Sequence, residues 1–290
     1  MKFSVSVLAL LLTASAVQAA DLIVEDQVVI DEVAAMGVIG VIEVGALAQY
    51  VENTSDPFDG WGWGGYLSGA LWGGGDGFVG GVDIFAEGNN FETANFVPTY
   101  TALLGAHAGF GGDGGMIGAF GSVGVVPDRD DESNFGYTAG IEGLAHLGGV
   151  DIFAQVGWAD IRTDEDDSGF TGAFARAGAV FALSDDFAVM ADISYGQSAD
   201  FTQPGDEGTF LAGGAKLAFA LPTDFDAFVT VAYEGAFYDA IGDGDTGVSH
   251  TAKLGISIPF ADGNSAATAL NPLATSPAPY RAGSWGSALN

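Results

Sequence analysis

The segment Val248–Phe260 reads VSHTAKLGISIPF, and its side chains alternate in character. Every second position is apolar apart from one histidine, in the order Val248, His250, Ala252, Leu254, Ile256, Ile258 and Phe260. The positions between them include Ser249, Thr251, Lys253 and Ser257. Because successive side chains of a β-strand point to opposite faces, the segment is predicted to be a strand with one apolar and one polar face.

The same alternation recurs through the preceding part of the chain and predicts an all-β fold. Twelve strands are predicted, at 38–50, 61–72, 78–88, 99–110, 116–126, 135–147, 150–160, 169–183, 186–197, 208–221, 225–238 and 247–260. Each has about the 9–11 residues that a tilted membrane strand needs, or somewhat more.

The connections and the aromatic residues indicate what kind of sheet these strands form. Short Gly- and Asp-rich turns follow the even-numbered strands, and longer polar loops follow the odd-numbered strands. Outward aromatic residues such as Phe78 and Phe110 lie at the short-turn ends, whereas Tyr137 and Trp158 lie toward the long-loop ends. This pattern is typical of a closed antiparallel transmembrane β-barrel with short periplasmic turns and long extracellular loops. A soluble β-sandwich, the alternative, gives no reason for it.

Composition excludes several classes of function. The chain has 290 residues, 7 of them Lys or Arg and 38 Asp or Glu, for a net charge of −31. Nothing in this balance offsets the repulsion of phosphate, so no nucleic-acid partner is expected. The chain has no cysteine, which excludes thiolate catalysis and disulfides. It also contains no phosphate loop, dinucleotide fingerprint or zinc-protease motif, so no cofactor is expected.

The N-terminus has the features of an export signal. Residues 1–19 combine a charged start at Lys2, a short apolar run and small residues before a cleavage point, as in a secretory signal peptide. Residues 20–36 are acidic and are expected in the periplasm, ahead of a barrel at 37–260.

Residues 261–290 follow the predicted barrel as a C-terminal tail. The tail contains Pro272, Pro277 and Pro279, and its composition predicts a flexible segment. Two alternatives are that it contacts peptidoglycan or that it enters the lumen as a plug.

The signal peptide, the loops and the strands resemble those of Gram-negative outer-membrane β-barrel proteins, in the broad porin and opacity-protein sense. The resemblance covers Gly37–Phe260 and depends on the signal peptide, the rhythm of the loops and the last strand, LGISIPF at Leu254–Phe260. It implies residence in the outer membrane of a Gram-negative bacterium, contact with lipid and lipopolysaccharide, and insertion by the barrel-assembly machinery through Leu254–Phe260. Many members end on the aromatic residue, whereas here the chain continues for thirty residues.

The predicted inner face carries most of the information about function, because a twelve-stranded barrel is intermediate between filled and channel-forming barrels. The predicted pore-lining charges are Glu43, Asp83, Glu87, Glu142, Asp151, Arg176, Asp192, Lys216, Asp226, Glu234 and Lys253. They predict a ladder of salt bridges between adjacent strands on one wall and an unpaired acidic wall opposite, with small residues such as Gly81 and Gly140 leaving space. Fixed carboxylates favour cations, so we expect a narrow, cation-preferring pore for small cationic or neutral solutes. The alternative is a non-conducting structural or adhesive barrel whose lumen is filled by ion pairs.

Two of the predicted long loops are acidic. Asp128 and Asp130 in one loop, and Asp164 and Asp166 in another, are weak candidates for binding a divalent cation. The second loop fails as an EF-hand because position twelve is Ala175, and a solvated acidic surface is the alternative.

Catalysis is not expected. The three histidines are His107, His146 and His250, and a nucleophile must lie beside its base. Ser249 and His250 are predicted to point to opposite faces, and no nucleophile-elbow motif is present. His146 is expected to pair with Glu142 instead.

Overall fold

The computed structural model describes residues 37–54, 58–75, 77–91, 100–112, 114–127, 133–162, 169–202, 205–223, 225–241, 245–261 and 263–289. The predicted signal peptide and acidic segment, residues 1–36, lie outside the described residues. So do the four candidate cation ligands Asp128, Asp130, Asp164 and Asp166.

Twelve antiparallel strands form a closed barrel, and the predicted fold is confirmed. The strands are β1 (Ile39–Asn53), β2 (Phe58–Gly75), β3 (Phe78–Phe91), β4 (Tyr100–Gly112), β5 (Gly115–Pro127), β6 (Ser133–Leu147), β7 (Val150–Arg162), β8 (Gly169–Ser184), β9 (Phe187–Ser198), β10 (Glu207–Ala220), β11 (Phe228–Ile241) and β12 (Asp245–Ala261). Each strand pairs with its neighbours in sequence, and β12 closes against β1 from Ile39↔Ala261 to Asn53↔Gly247. Closure leaves no sheet edge unpaired, which a bilayer requires.

Most strands extend further toward the long loops than the alternation predicts. Strand β1 continues to Asn53, and β2 already begins at Phe58. Ladder hydrogen bonds join backbone groups, so pairing can continue after the side-chain alternation has ended. At the other end Gly77 and Gly148 take left-handed conformations, with φ of +83° and +68°, as tight turns between strands require.

The start of β11 differs from the prediction, with a consequence for one predicted site residue. The Leu221 amide donates to the Ala227 carbonyl at 2.8 Å, which closes the connection before the strand begins at Phe228. Asp226 therefore lies in this connection and is exposed, rather than facing the lumen. The prediction that Asp226 lines the pore is wrong.

The outer face of the barrel is an apolar wall. Large apolar side chains are exposed along it, among them Ile42, Val44, Leu67, Ile84, Leu104, Ile141, Val156, Ile193, Leu211, Leu254 and Ile256. Phe78 and Phe110 are exposed near the short turns, and Tyr137 and Trp158 near the long loops. An exposed apolar surface of this extent is typical of a barrel that is surrounded by lipid.

The C-terminal tail is ordered and lies inside the barrel, so the prediction of a flexible segment is wrong. It forms two helices, α1 (Ala266–Leu270) and α2 (Ala278–Ala288). Ser265 caps α1 by accepting a hydrogen bond from the Thr268 amide at 3.2 Å. The tail is rich in alanine and small polar residues, and these pack closely against the inner wall. Neither helix of the described residues is long and apolar enough to cross a membrane.

Candidate functional site in the barrel lumen

The tail is held at the short-turn end of the lumen by an apolar cluster. Leu270 and Leu273 of the tail pack there with residues of the wall, namely Phe153, Val180, Ala188, Met190, Ala218 and Phe228. Burial of large side chains from both partners stabilises the docked tail. This end of the lumen is packed and is not an aqueous channel.

A second apolar cluster holds helix α2 toward the long-loop end. Tyr280, Ala282 and Trp285 of the tail pack there with wall residues that include Phe120, Phe170, Phe174, Phe210 and Tyr238. The Tyr280 hydroxyl is 3.0 Å from the Ser122 hydroxyl, and the Ser284 hydroxyl donates to the Pro127 carbonyl at 2.6 Å. The inward aromatic residues of the wall could have indicated from the sequence that the lumen is filled. In a water-filled pore such residues would have no apolar partner.

The inward glycines do not leave open space, contrary to the prediction. A Cβ atom at Gly81 would lie 2.6 Å from the Trp72 ring, and one at Gly140 would lie 2.2 Å from the Val156 carbonyl oxygen. Neighbouring rings and backbone fill the volume that a side chain would take. These positions need glycine for close approach.

A polar band with most of the predicted lumen charges lies between the two clusters. Arg176 and Asp192, on adjacent strands, form an ion pair of 2.7 Å. Lys216 pairs instead with Glu43 at 2.5 Å, and Lys253 pairs with Glu87 at 3.1 Å. The last two pairs join strands that are not neighbours. Of the predicted ladder of salt bridges, the Arg176–Asp192 pair is present, and the prediction that Lys216 and Lys253 pair with adjacent strands is wrong. Long side chains inside a narrow barrel reach across the lumen instead.

The acidic wall is not unpaired either. The His107 ring lies between two carboxylates, with Nε2 2.6 Å from Asp83 Oδ2 and Nδ1 2.8 Å from Glu142 Oε1. Gln155 donates to the other Glu142 oxygen at 3.1 Å. His146, which was expected to pair with Glu142, pairs with Asp151 at 2.7 Å near the short turns. Three of the predicted wall carboxylates thus have histidine partners.

Polar contacts also fix the tail in this band. The backbone amide and hydroxyl of Thr275 donate to Asp83 Oδ2 at 2.9 and 3.0 Å. Arg176 donates through Nη1 to the carbonyls of Pro272 and Ala274. Arg281 pairs with Glu87 and Glu234. The wall charges therefore bind the tail as well as each other.

The tail and the wall line a partly open cavity of about 170 Å³ at this height. Its polar lining includes Glu43, Asp192, Lys216, Glu234, Lys253 and Thr275. Five further residues that the sequence predicts to line the pore lie in or near this cavity or at the rim of the barrel. Arg176 and Asp83 also line it, Glu87 and Glu142 are buried beside it, and Asp151 lies at the short-turn rim. The described residues contain no group of three or more His, Asp or Glu side chains arranged to hold a metal ion.

His250 and Ser249 are adjacent in the sequence, but their side chains lie on opposite faces of the sheet. His250 lies on the outer wall with Nδ1 2.7 Å from the Tyr233 hydroxyl, whereas Ser249 is buried on the inner face. The two side chains are separated by the sheet, as the alternation predicts.

No protein-family model matches the chain, and no curated protein matches it. Among solved structures, the TodX monoaromatic hydrocarbon channel (a deltaS2 mutant) is 10% identical with a TM-score of 0.45, over 79% of this chain and 91% of that chain. The outer membrane channel DcaP of Acinetobacter baumannii is 11% identical with a TM-score of 0.42, over 78% and 97%. The translocator domain of the autotransporter NalP from Neisseria meningitidis is 13% identical with a TM-score of 0.44, over 85% and 93%. These solved structures are outer-membrane β-barrels of Gram-negative bacteria.

Proposed function

We propose that the protein is an outer-membrane β-barrel that forms a narrow, cation-preferring path for small cationic or neutral solutes. With the C-terminal tail docked in the lumen, this path is closed. The apolar outer wall supports residence in lipid, and the apolar outer face of β12 supports insertion by the barrel-assembly machinery through Leu254–Phe260. The proposal does not include an enzymatic activity.

The observation that carries this proposal is the acidic excess in the polar band. The wall contributes six carboxylates to this band, against four basic side chains when the His107 ring is counted. The acids are Glu43, Asp83, Glu87, Glu142, Asp192 and Glu234, and the basic side chains are His107, Arg176, Lys216 and Lys253. Arg281 belongs to the tail, so undocking of the tail removes a positive charge from the lumen. The lumen therefore becomes more negative when the path opens, and this favours cations over anions.

Single-channel recording of the refolded full-length protein in a planar bilayer under a salt gradient tests the proposal. We expect wild-type protein to be closed most of the time, with brief openings whose reversal potential indicates cation preference. Leu270→Ala/Tyr280→Ala removes one apolar anchor of the tail from each of the two clusters and should open the path more often. The Asp83→Asn/Glu142→Gln variant should reduce the preference for cations. Anion preference that is unchanged in this variant would contradict the proposal.

A non-conducting structural or adhesive barrel is the second candidate. The pairing of the lumen charges and the two apolar clusters favour it. If Leu270→Ala/Tyr280→Ala is folded, as judged by heat-modifiable gel mobility, and still passes no current, the second candidate replaces the first. Contact with peptidoglycan through the tail belongs to this candidate and requires the tail to leave the lumen.

A further inference from the structure

Arg281 occupies a site that the barrel wall builds. Its Nε and Nη2 atoms donate to the two Glu87 carboxylate oxygens at 2.5 and 2.7 Å, and its Nη1 atom donates to Glu234. Glu87 is on β3 and Glu234 is on β11, which are not neighbouring strands. A planar guanidinium is the group that satisfies a bidentate carboxylate and a second acid at the same time.

The surroundings of Arg281 also suit an organic cation. The Arg281 Cζ atom lies 5.8 Å from the centre of the Phe85 ring, within the range of a cation–π contact. The Glu87 and Arg281 side chains are each 6% exposed, so the pair is largely shielded from water. Glu234 is 29% exposed and lines the 170 Å³ cavity. A solute in the cavity can thus reach one of the two acids directly.

When Arg281 leaves this site, the Glu234 carboxylate loses its cationic partner. In the sequence 263–289 Arg281 is the single charged residue, so the tail offers no other cation to Glu234. Lys253 still pairs with Glu87 at 3.1 Å, but the Glu234 carboxylate loses its Arg281 partner. A buried or half-buried carboxylate without a partner is unfavourable, and a cation from solution removes this cost.

We propose that Glu87 and Glu234 form a binding site for small organic cations of the guanidinium or alkylammonium class, which Arg281 occupies as a tethered ligand while the tail is docked. This inference deepens the proposed function, and it rests on the barrel being a path for cations. A solute of this class competes with Arg281 for the same carboxylates. Because the two are mutually exclusive, binding of the solute favours the undocked tail.

Chemical rescue of Arg281→Ala in the full-length, refolded protein tests the site without measuring current. Ethylguanidinium is the probe, and N-ethylurea is its neutral isostere. We expect ethylguanidinium to bind Arg281→Ala, by isothermal titration in detergent, about tenfold or more tightly than it binds Arg281→Ala/Glu234→Gln, because the double variant lacks one of the two charge-assisted partners. N-ethylurea should bind neither variant. Equal affinity of the two variants for ethylguanidinium, or binding of N-ethylurea to Arg281→Ala as tight as that of ethylguanidinium, would overturn the site.

A second variant covers the case that Arg281→Ala does not fold. Ser284→Cys is nearly isosteric, lies in α2, and introduces the single thiol of a chain that has no cysteine. Ethylguanidinium should increase the rate at which a maleimide labels Cys in this variant, and N-ethylurea should not. An unchanged labelling rate would overturn the proposal that the cation competes with Arg281 for Glu87 and Glu234. Because neither readout is a current, failure here combined with cation-selective openings in the bilayer would remove the site and leave the proposed pore intact.

Discussion

The indole ring of Trp285 stacks on the phenol ring of Tyr238, with centroids 5.1 Å apart and planes inclined by 19°. Trp285 belongs to the tail and Tyr238 to β11, and each is 1% exposed. The contact therefore joins two parts of the chain that the sequence assigns to separate regions. It makes the tail part of the barrel interior.

Trp285→Ala should release helix α2 from the lumen. Truncation of a buried Trp costs roughly 3–5 kcal/mol, which here falls mainly on docking of the tail. Limited proteolysis of the tail in detergent should be faster in Trp285→Ala than in wild type. Trp61→Ala is the matched control, because Trp61 is 58% exposed on the outer wall. A tail as resistant in Trp285→Ala as in Trp61→Ala would contradict docking of the tail inside the barrel.

His107→Leu should destabilise the barrel, because it leaves the Asp83 and Glu142 carboxylates without the ring that joins them. Removal of one partner from a buried ionic arrangement costs about 3–5 kcal/mol. Urea unfolding of the refolded protein measures the loss. The control His250→Leu removes a single hydrogen bond to Tyr233 on the outer wall and should cost about 1 kcal/mol. Similar losses in the two variants would show that the bridge contributes little.

Gly140→Ala should destabilise the barrel by about 1–3 kcal/mol through overpacking. Its Cβ atom would lie 2.2 Å from the Val156 carbonyl oxygen, a distance that requires the β6–β7 pair to shift. Gly121→Ala is the control, because the nearest atom to its Cβ, the Thr138 carbonyl oxygen, lies at 3.6 Å. The folded fraction on unboiled gels and the urea midpoint report the difference. Equal midpoints for the two variants would show that the wall can adapt.

Ile141→Lys should hinder assembly into phospholipid vesicles, because Ile141 is 63% exposed on the outer wall. A lysine on the lipid face costs about 2–4 kcal/mol near the bilayer midplane and about 0–1 kcal/mol near its surface. Ile241→Lys, at the end of β11 toward a long loop, should therefore assemble nearly as well as wild type. The assembled fraction after refolding measures both. Efficient assembly of Ile141→Lys would argue that this wall does not contact lipid.

The amino-acid sequence by itself determined the barrel. The alternation of side chains assigns each residue to a face, and the alternation of loop lengths assigns each strand end to one side, because both are local consequences of strand geometry. The inward positions of Glu43, Asp192 and Lys216 followed from the same alternation. The alternation placed Asp226 on the inner face incorrectly, because β11 begins at Phe228, later than the apolar pattern indicates.

Only the tertiary structure decided what the inward residues meet. Lys216 contacts Glu43 and Arg281 contacts Glu87 because closure of the barrel brings distant strands and the tail into one lumen. Strand periodicity defines the face of a side chain but not its partner across an interior, so neither contact could be inferred from spacing. The role of the inward aromatic residues also depends on the tertiary structure, because they form an apolar cluster with Trp285 and Tyr280 of the tail.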